Sequence, residues 1–396
     1  MLFQTLDNKE ECAGVYYDGN LYFDHELPKE FNQTWSYSSH LRDREVRYGY
    51  LQCGGKSLDS VCPSNVKEDW EKINNKLKAF MRSFQLSKVC LEDNCFYDLV
   101  PEKFLLEYCE IRNRITKHVF ANFLPPKNLR FLTSLSKVVG DIERQKLNID
   151  LDGFKPFLAE YKAREWRKKI KNISPYIKYD IFGTKTGRLT TKKNSFPILT
   201  LAKEYRSVLK PRNDWFVEFD FNAAELRTLL ALSGKEQPKE DIHEWNVKNV
   251  YRSLITREKA KQRIFAWLYN PESRDYLSNR AYDRDKVLAD YWDGSHVSTY
   301  FGRKIEAGKY HALNYIIQST TSDLFLDRAM EIFNLLKEKK SFISFCIHDS
   351  LIIDLSDEDK DMLAELKETF SNTSLGNFEI NIKAGKNFGE MKKLVL

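Results

Sequence analysis

Two aspartates stand out for the chemistry they could do together. Asp220 follows the run Trp215-Phe-Val-Glu-Phe and Asp349 comes just after Phe345-Cys-Ile, so each is expected at a strand edge. Carboxylates from two strands that meet in space can hold a pair of divalent cations. Hard cations such as Mg²⁺ take anionic oxygen ligands, and two close together can activate a hydroxyl and stabilise a leaving pyrophosphate in one in-line displacement. Aspartates that merely cap a turn beside a strand share this local sequence, and for two arbitrary residues that is the commoner case.

A second pattern lies between them. Arg257, Lys261, Phe265 and Tyr269 recur at every fourth position. Four residues advance a helix by about 400°, so the set forms one slowly drifting stripe, cationic in its first half and aromatic in its second. A triphosphate below the helix start would meet Arg257 and Lys261, and a base would stack near Phe265 and Tyr269. The plainer reading is a helix with aromatics turned to the core and its Lys and Arg solvated.

The elements that must position these residues are bounded by composition. With 396 residues, 42% hydrophobic and 30% charged, the chain is expected to be soluble and well packed in two or three domains. The net charge of +6 is only mildly basic, so local distribution decides whether nucleic acid is a partner. Lys162, Arg164, Arg167, Lys168, Lys169 and Lys171 crowd around Trp166, either as a solvated helix face or as a phosphate-contacting one. Seven cysteines without a C-x-x-C pair predict reduced thiols in a cytosol-like compartment. The acidic start and the lack of a long apolar run predict a cytoplasmic protein with no membrane partner.

Along the chain, Gly14 to Phe23 reads as two strands joined at Asp18-Gly-Asn, and Trp70, Ile73, Leu77, Phe80 and Phe84 line one face of a helix. Pro125-Pro126 closes this first domain. Helical segments follow to about residue 185, then an α+β body interrupted by a helical block at 236–310.

Taken jointly, the motifs resemble the family A DNA polymerases, the class of bacterial DNA polymerase I and many phage replicative enzymes. Matching stretches, all in family order, are Thr186-Gly-Arg188-Leu-Thr-Thr191, Asp220 through Arg227, Asp241-Ile-His243 and the stripe Arg257, Lys261, Phe265 and Tyr269. Gly302-Arg303, Asn314-Tyr-Ile-Ile-Gln318 with Asp323, His348-Asp349 and Gly385-Lys-Asn-Phe complete the set, which spans about residues 130 to 396.

The resemblance implies an α+β right-hand polymerase. Its palm would be 186–235 and 311–396, its fingers 236–310, its short helical thumb 131–185, and 1–130 a reduced, inactive 3′-5′ exonuclease-like α/β remnant. It implies a template-directed DNA polymerase acting in replication or repair on primer-template DNA and dNTPs, of a compact, phage-like form working in a host bacterial cytoplasm. Asp220 and Asp349 would bind two Mg²⁺ ions, with Mn²⁺ as a substitute. Arg257 and Lys261 would neutralise the triphosphate, with Lys261 also donating a proton to pyrophosphate. His243, Phe265 and Tyr269 would complete the nucleotide site, and Glu225 would exclude a 2′-hydroxyl. Arg188, Arg227, Asn314, Gln318 and His348 would contact DNA, the minor-groove members testing pair shape without reading sequence.

Departures from the family pattern set further expectations. Ser350 stands where a second carboxylate is usual, Asn270 replaces a glycine, and Tyr310 replaces an arginine. The short thumb implies low processivity without a partner such as a processivity factor. In the first domain, Asp24-His-Glu26 and Asn94-Cys-Phe-Tyr-Asp98 resemble two of three exonuclease motifs, but Tyr108 is followed four residues later by Arg112 instead of an aspartate. The alternatives are a polymerase retaining 3′-5′ exonuclease activity, or a catalytically weak primer-template binding protein. Glu225 argues against an RNA polymerase, and the absence of Tyr-x-Asp-Asp against a reverse transcriptase.

Overall fold

The computed structural model describes residues 1–395, which divide into two compact units, Met1–Arg144 and Gln145–Leu396. In the first, strands Phe3–Thr5, Gly14–Tyr17 and Asn20–Phe23 form an antiparallel sheet in chain order. The expected turn is present. Asp18 and Gly19 both take positive φ, 47° and 83°, the mirror-image turn whose twist suits the flanking strands. Helix Ser64–Leu86 buries Trp70 and Ile73 and rests Leu77, Phe80 and Phe84 on the same core. Helix Glu102–Asn122 runs antiparallel to it, with Phe104 meeting Phe80 at 4.9 Å and Tyr108 meeting Trp70 at 6.0 Å between ring centres.

Two expectations for this unit are corrected. Cys12 and Cys95 form a disulfide, so the thiols are not all reduced; Cys53, Cys62, Cys90, Cys109 and Cys346 remain free. The unit also runs past residue 130. Helix Leu129–Arg144 buries Leu132, Leu135, Val138 and Ile142, and Arg42 binds its Asp141 at 2.7 Å. The boundary therefore falls after Arg144, and the segment 131–185 is divided between the two units.

The second unit is built on a five-stranded sheet in the order Phe342–Ile347, Ser350–Leu355, Trp215–Phe221, Ile380–Gly385, Lys392–Lys393, every neighbour antiparallel. Strand alternation sorts the central strand's side chains. Phe219 and Phe221 pack on Phe370 of helix Leu363–Ser371, which in turn meets Phe325 of the long helix Lys309–Leu335. Phe216, Glu218 and Asp220 therefore share the opposite face, where Phe216 meets Phe345 and Phe388.

The helical block holds Ile242–Trp245, Arg257–Tyr269, Tyr276–Tyr282 and Arg284–Tyr291, around a core that includes Ile264, Trp267, Tyr282 and Val287. Strands gathered in largely antiparallel sheets beside separate helices make the fold α+β, as the sequence suggests. Among the described residues, no helix is long and apolar enough to cross a membrane.

Candidate active site

Asp220 is the sixth residue of the central strand, and its register partners are Ser350 on one side and Asn381 on the other. Strands Phe342–Ile347 and Ser350–Leu355 are joined by only His348 and Asp349, so Asp349 lies one residue from Asp220's partner. The sheet thus brings together two carboxylates 129 positions apart in the chain. His348 is exposed and takes φ +54°, a left-handed backbone that costs a residue with a Cβ on the order of 1 kcal/mol. That tight turn is what aims Asp349.

Burial pushes both carboxyls above their ordinary pKa, Asp220 against a hydrogen bond from Ser350 and Asp349 against the nearby charge of Arg188. Ser350 Oγ donates to Asp220 Oδ1 at 2.9 Å. Asp349 Oδ1 is buried and has no hydrogen-bond partner. Two half-buried carboxylates with an unsatisfied oxygen suit a hard divalent cation, whose charge would offset their desolvation. Among the described residues no third acid, His or Cys joins them closely; the one such trio, Asp7, Cys12 and Cys95, has its sulfurs in the disulfide.

Glu225 is the second residue of the helix Ala224–Leu232, whose preceding residue, Ala223, is also left-handed at φ +50°. Arg188 Nη2 lies 2.7 Å from Glu225 and 4.0 Å from Asp349, and the Tyr269 hydroxyl donates to the other Glu225 oxygen. Burial and then this bond to Glu225 raise the pKa of Tyr269. Sequence reasoning selected Arg188, Glu225 and Tyr269 separately; that they form one hydrogen-bonded chain depends on long-range packing.

The stripe lies on Arg257–Tyr269 as expected, and part of the plainer reading holds too, since Phe265 packs against the core and Lys261 is exposed. Ala260, Ile264, Trp267 and Leu268 face the core, while Lys261 and Tyr269 are exposed and Arg257 and Phe265 half-buried. Phe265 stacks on Tyr269 at 6.0 Å and lies 5.9 Å from His243. His243 is 5% exposed, burial lowers its pKa, and its Nδ1 has no partner.

Asp241 organises the cationic end, a role its sequence did not reveal. It accepts from Arg257 Nη2 at 3.0 Å and Asn222 Nδ2 at 3.1 Å, and caps the backbone N–H groups of His243 and Glu244. Burial alone would raise its pKa, but the bonds from Arg257, Asn222 and Glu244 outweigh it and hold the carboxyl well below the usual range.

Asn314 and Gln318 stand one turn apart on Lys309–Leu335, and Asn314 Oδ1 is buried with no partner. On the same helix Asp323 is fully buried and pairs with Arg303 at 2.7 Å. Arg303 lies against Gly187, which has φ +79° and where a Cβ would come within 2.4 Å of the guanidinium, so glycine is favoured there by both backbone and space. Arg227 is corrected. It is fully buried and donates to the carbonyls of Asn222, Pro238 and Glu240, so it ties this segment together internally and cannot reach a duplex.

No protein-family model and no curated protein matches the sequence. Among solved structures the chain is similar to the POL domain of Pol1 from M. smegmatis in complex with DNA primer-template and dNTP. The TM-score is 0.63 at 12% identity, covering 98% of this chain and 95% of that one. At that identity the likeness is one of fold: this chain has the architecture of a polymerase domain.

Proposed function

We propose that the chain is a template-directed DNA polymerase that extends a primer 3′-hydroxyl by two-metal phosphoryl transfer. The observation that carries this reading is the continuous network from Asp220 and Ser350 through Asp349, Arg188 and Glu225 to Tyr269 and Phe265, which joins the carboxylate pair to the basic-aromatic helix. Asp220 and Asp349 would hold Mg²⁺, which when bound supplies a Lewis acid for the 3′-hydroxyl and the triphosphate. The 3′-hydroxyl gives its proton to solvent, its oxygen bonds to the α-phosphorus, and the bond to the bridging oxygen breaks with its electron pair leaving on pyrophosphate. Arg257 and Lys261 bind the triphosphate charge, and Lys261 passes a proton to departing pyrophosphate. His243 belongs to the nucleotide site through its ring contact with Phe265. Phe265 packs on the base and Tyr269 beside the template. Glu225, fixed from both sides by Arg188 and Tyr269, is too rigid to admit a 2′-hydroxyl. Asn314, Gln318 and Arg188 face the minor groove, and His348 the primer end.

In this reading 186–235 and 311–396 form the palm and 236–310 the fingers. The neighbour is described as a polymerase domain and overlaps nearly the whole chain, which favours the paired helices Ser64–Leu86 and Glu102–Asn122 as a DNA grip over an exonuclease-like remnant. Ser350 favours one other reading, a primer-template binding protein with a weakened metal site, because a neutral hydroxyl occupies a ligand position. Primer extension with Mg²⁺ separates the two: wild type incorporates dNTPs and Asp349→Ala does not. Equal inactivity of both would sink the polymerase reading.

A further inference from the structure

The helical block contains an open cavity of about 900 Å³ that none of the roles above uses. Its walls are the segment Lys235–Glu240, the Trp245–Arg252 stretch and helix Tyr276–Tyr282. Leu230, Val250 and Leu277 give it an apolar floor. The cations at its rim are not equivalent. Lys235 Nζ is spent on the carbonyls of Arg280 and Ala281, both at 2.7 Å, which fixes one wall to the other. Of the two acids, Glu240 is paired with Lys248 at 2.7 Å. Lys239, Arg252 and Arg280 line the cavity with Glu236, a local excess of positive charge in a lining that also holds half-buried Trp245.

The backbone here is also unusual. Asn246–Val250 is a π-helix, a form that recurs at functional sites, and Arg252 and Ser253 are consecutive left-handed residues at φ +53° and +59°. Neither is glycine. A strained exit that places Arg252 in the lining of a mixed polar and apolar cavity with Trp245 is a feature of binding sites more than of plain connections.

We propose that this cavity is a second, non-catalytic site for a nucleoside phosphate, with Arg252, Arg280 and Lys239 on the phosphates and Trp245 against the base. The volume suits a ligand of that size, guanidinium groups suit phosphate oxygens, and a stacking ring beside them selects a nucleotide over a bare anion. The proposal goes beyond the polymerase reading and does not need it.

The test is calorimetric titration of the full chain with ATP in EDTA, so that no metal-dependent binding contributes. Arg257→Ala/Lys261→Ala, which disables the proposed catalytic triphosphate site, retains saturable ATP binding. Arg252→Ala/Arg280→Ala weakens it at least ~10-fold, as expected for loss of charged phosphate contacts, while the melting temperature stays unchanged. Trp245→Ala weakens ATP but not inorganic phosphate. Loss of ATP binding in the first pair with no effect of the second overturns the proposal, as does inorganic phosphate binding as tightly as ATP.

Discussion

Asp220 and Asp349 stand half-buried at the end of a five-stranded sheet, whereas Asp24, Glu26 and Asp98 lie exposed on two short 3₁₀ turns of the N-terminal unit. Both sets have local sequences that fit metal chemistry. The sheet makes the difference, because its register fixes Ser350 opposite Asp220 and a two-residue turn then fixes Asp349. A solvated carboxylate on a short turn has water to satisfy it. A carboxylate held in a desolvated position, with an oxygen left unpaired, gains far more from a bound metal.

The largest expected effect exploits that contrast. Asp220→Ala should reduce primer extension on the order of 10³-fold, the scale of removing a principal electrostatic stabiliser. Asp24→Ala and Asp98→Ala should leave it unchanged. Comparable losses in both sets, measured by single-nucleotide incorporation, would erase the distinction between the two regions.

A second contrast concerns what holds each unit. The Cys12–Cys95 bridge closes 83 residues of the first unit, and the second unit has none among the described residues. Reduction should therefore cost the first unit about 2–4 kcal/mol and spare the second. Limited proteolysis with and without reductant reads this directly; an unchanged digestion of residues 1–144 would contradict it.

How far the sequence foretold these regions depends on the range of the interactions. The Asp18-Gly19 turn, the face Trp70 to Phe84 and the stripe Arg257 to Tyr269 follow from local spacing, and all three are present. The disulfide joins cysteines that nothing local pairs. The resemblance put Arg227 on DNA, yet it is fully buried, satisfied by three backbone carbonyls that only the fold supplies. Asp241 looked like one member of a motif, and its grip on Arg257 depends on a helix that begins 16 residues later.

Smaller effects sharpen the site itself. Glu225→Ala removes the partner of both Arg188 and Tyr269 and should relax the preference for deoxy- over ribonucleotides roughly 10²-fold. Competing incorporation assays measure that ratio, and an unaltered ratio would show that Glu225 does not face the sugar. Asp241→Asn keeps the helix cap but loses the charge opposite Arg257. The ion pair is partly exposed, so the stability loss should be about 1 kcal/mol. Because the folded-state pKa of Asp241 is depressed, its contribution is complete above about pH 4 and is lost as pH falls through the depressed value. Wild type and Asp241→Asn should thus differ in denaturant midpoint at neutral pH and converge in strong acid; a gap that widened in acid would reverse the sign.

The central claim is that Asp220 and Asp349 form the cation site of a nucleotidyl transfer centre. Mn²⁺ binding to the full chain with primer-template and dNTP, followed by electron paramagnetic resonance, tests it most directly. The account predicts saturable binding that disappears in Asp220→Ala/Asp349→Ala and persists in Asp24→Ala/Asp98→Ala. Binding that survives the first pair of substitutions, or is lost with the second, would contradict it.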